Sequence, residues 1–193
     1  MYAYLEGKFT YKSPAVLFVD VNGVGFEVNI SLHTYSSIQN KEAGRLYTYM
    51  QVKEDAHVLY GFWEQQERAI FLMLISVSGV GAATARMMLS SLKPDEVAKA
   101  IMYSDVRMLE KVKGIGKKTA ERLVLELKDK VGKAAPNDNA LPAGNSMEQD
   151  ALEALIALGI SKNQAELSIQ KAIRAEPSIP NLEDLIKKAL KAI

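Results

Sequence analysis

Val112-Lys113-Gly114-Ile115-Gly116-Lys117-Lys118-Thr119 is the stretch on which the reading of this chain turns. Its core, Lys113-Gly114-Ile115-Gly116, echoes Ser78-Gly79-Val80-Gly81, placed 35 residues earlier. Each copy follows an apolar run with helical spacing, at 70–75 and around 106–112. Each precedes a further expected helix, 82–91 and 117–130. A Gly-apolar-Gly turn between helices lets the middle residue plug the turn into a core. The glycines permit backbone angles and close approaches that a side chain would block. The helix that follows begins with free N–H groups and a partial positive charge, so it can hold a phosphate oxygen. Such contacts touch the nucleic-acid backbone and leave the bases unread.

One Gly-x-Gly carries little weight, since Asn22-Gly23-Val24-Gly25 also matches and sits between strands, where it is better read as a hairpin turn. Two copies between helices carry more, and charge adds to them. Lys plus Arg against Asp plus Glu is 5 to 6 over residues 1–62, 12 to 9 over 63–131 and 7 to 8 over 132–193. The whole chain is only +1, so the positive excess lies with the two hairpins, where a polyanion would be held. Candidate phosphate contacts are Gly79, Val80, Gly81, Ala83, Thr84 and Arg86 at the first hairpin. At the second they are Gly114, Ile115, Gly116, Lys117, Lys118 and Thr119. A nucleotide-binding loop does not fit, because G-x-x-x-x-G-K-[ST] needs glycine where Lys111 stands and Ser or Thr where Lys118 stands.

Upstream, residues 1–62 alternate in short runs such as Val16 to Val21, Phe26 to Ile30 and Leu46 to Val52, separated by turn signals. Close-spaced short strands suggest a small barrel. Downstream, Gly132 to Asn145 has the composition of a flexible linker, with two prolines and Leu141 as its one bulky apolar residue. Three short helices are expected after it. Ala151, Leu152, Leu155 and Leu158 share a face, Gly159 ends the first helix, and Ser161 is placed to cap the second. The expected architecture is α+β and multidomain. It comprises a barrel over 1–63, a tandem helix-hairpin-helix domain over 64–131, a linker over 132–146 and a three-helix bundle over 147–193. With no cysteine, thiolate metal sites and disulfides are excluded. No signal peptide or membrane span is read, so a cytoplasmic protein is expected.

Residues 112–123, together with 1–7, 23–28, 52–56 and 59–62, resemble the RuvA family of Holliday junction branch-migration proteins. Three separated motifs occur in the family's order, and the likeness covers about 130 residues closely. The resemblance implies an OB-like barrel, two helix-hairpin-helix motifs and a tethered three-helix domain. It implies a homotetramer, with a face-to-face octamer as the larger alternative. That assembly holds a four-way DNA junction open and square while the hexameric ATPase RuvB pumps the arms. It further implies cooperation with the resolvase RuvC in recombinational repair. No catalytic residue, cofactor or metal is expected in the chain itself. One departure concerns the first hairpin: family members often carry lysine where this chain has Ala83. That hairpin is expected to rely on backbone N–H groups and Arg86.

Glu54 and Asp55 lie at the apex of an expected hairpin. By themselves they read as a solvated turn; the resemblance makes them an acidic pin at the tetramer centre. A two-carboxylate nuclease site lacks a further ligand nearby in sequence. His33 and His57 read as surface or turn residues. Trp63, with Phe71 and Met73, reads as core or interface, with a base-stacking platform as the alternative. Tyr2, Tyr4, Tyr47, Tyr49 and Tyr60 read as packing residues, and stacking of single-stranded bases is the competing use. In the last domain Leu155, Leu158, Ile160 and Leu190 are candidates for docking the motor, against ordinary core packing. The rival functions are a general single-stranded DNA-binding OB protein, and a nuclease or glycosylase on helix-hairpin-helix motifs.

Overall fold

The computed structural model describes residues 2–134, 147–176 and 179–192. Alternation builds its first part. Leu5 and Phe9 of β1 (Tyr4–Lys12), Leu17 and Val19 of β2 (Val16–Val21), and Val28 and Ile30 of β3 (Val24–Ile30) point into one apolar interior. Leu46 of β4 (Ala43–Val52) and Leu59 of β5 (His57–Phe62) complete it. The strands close in the order β1-β2-β3-β5-β4, which leaves no open edge. All pairs are antiparallel except β3 with β5. That parallel pair requires a crossover, which α1 (Leu32–Ile38) and β4 supply. Asn22 and Gly23, at φ 53° and 87°, turn β2 into β3 as the sequence suggested. At Gly7 an added Cβ would lie 2.0 Å from the Asp20 carbonyl oxygen, so only glycine lets β1 cross β2 this closely.

The helices that follow are α2 (Gln65–Ile75), α3 (Ala82–Ser91), α4 (Pro94–Met102), α5 (Val106–Glu110) and α6 (Lys117–Ala134). Pro94 opens α4 as expected, where its missing N–H has no partner to lose. The barrel and these helices share a core. Tyr60 and Phe62 of β5 pack with Ile70, Phe71 and Leu74 of α2, and the Phe62 and Phe71 rings stand 4.8 Å apart. Each such fully buried side chain contributes roughly 2 kcal/mol relative to exposure. Barrel and helical layer therefore form one compact unit, Met1–Ala135. The last helix of that unit runs four residues past its expected end at Lys130, so the expected linker begins inside α6. Residues 135–146 lie outside the described residues.

The second unit contains α7 (Met147–Ala157), α8 (Lys162–Ala175) and α9 (Leu182–Lys191) around Ala151, Leu155, Ile169, Leu185 and Ala189. Gly159, at φ 91°, ends α7, and the Ile160 N–H returns to the Leu155 carbonyl at 3.1 Å. Ser161 precedes α8, but its hydroxyl makes no cap bond, contrary to expectation. Asn181 does cap α9, its side-chain oxygen accepting from the Asp184 N–H at 2.9 Å.

Candidate nucleic-acid interface

The two glycine turns are built alike, bond for bond. In the first, the Val80 N–H reaches the Val77 carbonyl at 3.1 Å; in the second, the Ile115 N–H reaches the Val112 carbonyl at 3.1 Å. Gly79 and Gly114 adopt φ 92° and 95°, which side chains other than glycine rarely accept. Val80 and Ile115 are the buried plugs, both part of the core that contains Leu74 and Leu123. The carbonyls of Gly81 and Gly116 accept from Ala85 and Ala120 at 2.9 and 3.0 Å, which starts α3 and α6. Glycine has no side chain with which to cap the first N–H groups of either helix. Ala82 to Thr84 and Lys117 to Thr119 therefore present orphan donors at the positive end of a helix dipole.

The turns differ in charge. Lys113, Lys117 and Lys118 stand exposed around the second, while Ser78, Ala82 and Ala83 occupy the matching places at the first. Arg86, the expected cation of the first turn, is held by the barrel: its Nη1 donates to the Ala15 carbonyl at 3.0 Å and to Asn29 Oδ1 at 2.9 Å. The turns touch one another. Arg122 Nη1 of α6 donates to the Ser78 carbonyl at 3.3 Å, and Thr84 Cγ2 lies 3.8 Å from where a Cβ on Gly114 would stand.

Glu54 and Asp55 sit at the tip of the β4–β5 turn, closed by the Lys53 N–H on the Ala56 carbonyl at 2.8 Å. Both are exposed, and the strand end before them, Val52, is 63% exposed. Among the described residues no group of three or more His, Cys, Asp or Glu side chains could hold a metal ion. No described helix is long and apolar enough to cross a membrane.

Other sequence candidates separate clearly. Phe71 is fully buried, and Trp63 packs on the barrel core with Lys41 Nζ 4.9 Å from its ring centre. Tyr49 and Tyr60 pack against Phe71, at 5.5 and 5.3 Å between rings, so they belong to the core. Tyr2 and Tyr4 are about half exposed; Tyr4 lies under the Arg45 guanidinium at 4.3 Å. His33 is half-buried on α1, against the expectation of a surface residue, and its Nε2 lies 3.9 Å from Glu64. In the second unit Leu155 is fully buried, which corrects its candidacy for docking: it is core. Ile160 is partly buried against that core, whereas Leu158 and Leu190 are 63% and 41% exposed.

A polar seam that the sequence reading missed joins barrel to helices. Glu67 of α2 is fully buried; Ser31 Oγ donates to its Oε1 and Thr34 Oγ1 to its Oε2 at 2.6 Å. Burial raises the Glu67 pKa above its usual 4.5, and the two hydroxyl donors oppose that rise. Arg68 Nε donates to the Thr48 carbonyl at 2.8 Å, and Ser90 Oγ accepts from the Leu32 N–H at 3.1 Å. One signal was available: Glu67 falls on the face of α2 that carries Ile70, Phe71 and Leu74, where a charged residue needs a partner.

Family models match along the chain in the order of the structure. The RuvA N terminal domain matches residues 1–61, a SAM-like helix-hairpin-helix tandem 71–129, and the RuvA C-terminal domain 146–193. A protein of Christiangramia forsetii named Holliday junction branch migration complex subunit RuvA is 48% identical over 194 residues, covering 100% of both chains. The chain belongs to the RuvA family. Proteins of the same name from Cytophaga hutchinsonii and Pelobacter propionicus are 44% and 41% identical, each covering at least 99% of both chains. The barrel and the hairpin pair are thus the RuvA N-terminal domain and its helix-hairpin-helix tandem.

Proposed function

We propose that the chain binds four-way DNA junctions through the phosphate backbone and presents them to a separate branch-migration ATPase of the RuvB type. The observation that carries this is the pair of like-built hairpins, each opening a helix with uncapped N–H groups and joined through Arg122 and Thr84. Two phosphate cradles at fixed spacing suit one duplex arm; a homotetramer supplies four such pairs, and two stacked as an octamer supply eight. Eight engaged hairpins give a log–log salt slope on the order of −7. The chain contributes no bond-making step; hydrolysis of ATP belongs to the partner.

Glu54 and Asp55 act at the centre of that assembly. Four copies bring eight carboxylates to the crossover, where they repel phosphates and keep the strands apart. Affinity then comes from the hairpins, and selectivity comes partly from repulsion. In the second unit Leu158, Leu190 and the exposed part of Ile160 offer the apolar surface for the motor. Cooperation with a RuvC resolvase is what the family resemblance implies, and it needs the tetramer, because a second stacked tetramer covers the other face of the junction.

A competition gel shift tests the reading. Labelled immobile junction is mixed with the protein in magnesium without ATP, and unlabelled junction, duplex or single strand is added. Competition at low excess by junction alone supports a junction holder. Equal competition by single strand supports the rival OB-type single-strand binder, whose platform would be the exposed Tyr2 and Tyr4. Glu54→Gln with Asp55→Asn is expected to tighten binding to linear duplex and to narrow the junction preference several-fold. An unchanged preference removes the pin from the mechanism.

A further inference from the structure

We infer that Arg86 is a positioning residue, not a DNA ligand: it locks the first hairpin to the strand that carries the acidic turn. The inference rests on the junction reading above and concerns how the hairpins hold a fixed place relative to the turn.

Arg86 lies one turn inside α3, the helix whose first N–H groups face the first hairpin. Its Nη1 is shared between two barrel acceptors, the Ala15 carbonyl in the β1–β2 loop and Asn29 Oδ1 in β3. Asn29 in turn donates through Nδ2 to the Leu59 carbonyl of β5, at 3.3 Å. β5 is the strand that leaves the Glu54–Asp55 turn, and Asn29 is in register with Tyr60 on it. A continuous line of bonds therefore runs from α3 through Arg86 and Asn29 to the arm bearing the acidic turn.

A second tie holds the same helix. Ser90 Oγ donates to the Arg86 carbonyl at 2.9 Å and accepts from the Leu32 N–H at 3.1 Å. Arg122 then passes the position of the first hairpin to the second through the Ser78 carbonyl. Arginine suits this role because its planar fork is preorganised and always charged, so it serves two oxygens at once. The same engagement keeps Nη1 from a phosphate, which leaves the first hairpin to its backbone donors. A tilt of α3 would move the phosphate cradle against the repelling turn. That change weakens fit to a square junction more than fit to a straight duplex, which needs the hairpins alone.

The test compares wild type with Arg86→Met, Asn29→Ala and the double variant, as full-length proteins. Affinity is measured for an immobile four-way junction and a linear duplex across a salt series, with thermal melts as a check on folding. Arg86→Met is expected to cut the preference for junction over duplex about tenfold, the scale of a lost charge-assisted bond, at an unchanged salt slope. Asn29→Ala, which alters no charge, is expected to shift preference the same way. The double variant should be no worse than Arg86→Met, because both changes break one link. If Arg86→Met does not fold, Asn29→Ala decides by the same readout. A slope shallower by about 0.9 for each phosphate released, with Asn29→Ala behaving as wild type, would mean that Arg86 grips a phosphate, and the inference is overturned. A wild type with no junction preference at all sinks the functional reading first, and the inference with it.

Discussion

Gly81 and Gly116 are glycines that the fold itself does not need. Neither adopts a left-handed φ, and a Cβ built on either meets nothing within 4 Å. Gly81 sits at φ −82° and ψ 165°, where alanine is at ease. Gly79 and Gly114 differ, at φ 92° and 95°. The four positions therefore separate two reasons for glycine: strain within the chain, and approach by something outside it. Alanine at Gly79 or Gly114 costs about 1–2 kcal/mol of backbone strain. Nothing adds to this at Gly114, since Thr84 Cγ2 at 3.8 Å is an ordinary contact. Alanine at Gly81 gains about 0.4–1 kcal/mol by restricting the unfolded chain. It loses a similar amount because glycine is the better helix-capping residue. The net change is near zero.

Melting should then fall by roughly 4 °C for each kcal/mol in Gly79→Ala and Gly114→Ala, and hardly move in Gly81→Ala and Gly116→Ala. Junction affinity should order the variants differently. A methyl at Gly81 or Gly116 stands where a phosphate must approach the first N–H groups of α3 or α6. Losing one charge-assisted hydrogen bond costs about 1.5 kcal/mol or more, a factor of ten or more in Kd. The assays are differential scanning fluorimetry and a junction gel shift on the same preparations. Full affinity in Gly81→Ala and Gly116→Ala refutes close approach of the DNA backbone. An affinity loss that tracks a drop in melting temperature refutes it as well, since the glycines would then be structural.

Ala83→Lys should strengthen binding to junction and duplex alike and steepen the salt slope by about 0.9 for each hairpin engaged, because it puts a cation beside donors that now act without one; an unchanged slope means the first hairpin meets no phosphate. Glu67, with its pKa raised by burial, keeps its proton in the folded state to higher pH than in the unfolded chain. Stability should therefore decline as pH rises from 4.5 towards that raised value, and Glu67→Gln should lose this decline; parallel melting-versus-pH curves for the two proteins refute it. Leu155→Ala should destabilise the three-helix unit by about 2–5 kcal/mol, as a fully buried leucine does. Leu158→Asp should leave its melting unchanged and weaken binding to a RuvB-type ATPase, measured by pull-down or calorimetry.

What was legible in the chain follows how far apart the interacting residues lie. The hairpins are local: a glycine, a plug and a glycine fall within four residues, so spacing alone located both turns and their buried Val80 and Ile115. The barrel was legible through alternation, and the acidic turn through its place between two strands. Strand pairing was not, because the parallel partnership of Asn29 with Tyr60 depends on a crossover. Arg86 shows the same limit. Next to a glycine turn its charge suggests a phosphate contact, yet its partners lie 71 and 57 residues away. Leu155 and Leu158 mark another. Both fall on one expected apolar face, but α7 ends at Ala157, so Leu155 is buried inside the helix and Leu158 stands exposed in the turn after it.

The two hairpins divide the work unequally. The first has no lysine beside its turn, but α3 is tied to the barrel at Ala15, Asn29 and Leu32. The second has three exposed lysines, and its bond to the first is Arg122 on Ser78. Charge supplies affinity over a Debye length of about 8 Å and has little directionality. Bonds to the barrel supply direction and add nothing to attraction. A protein that must distinguish a square crossover from the duplex of its own arms needs both, and one hairpin cannot be freely charged and firmly tied through the same arginine. On the proposed reading, duplication resolves that conflict, with one copy kept for register with the acidic turn and the other for grip.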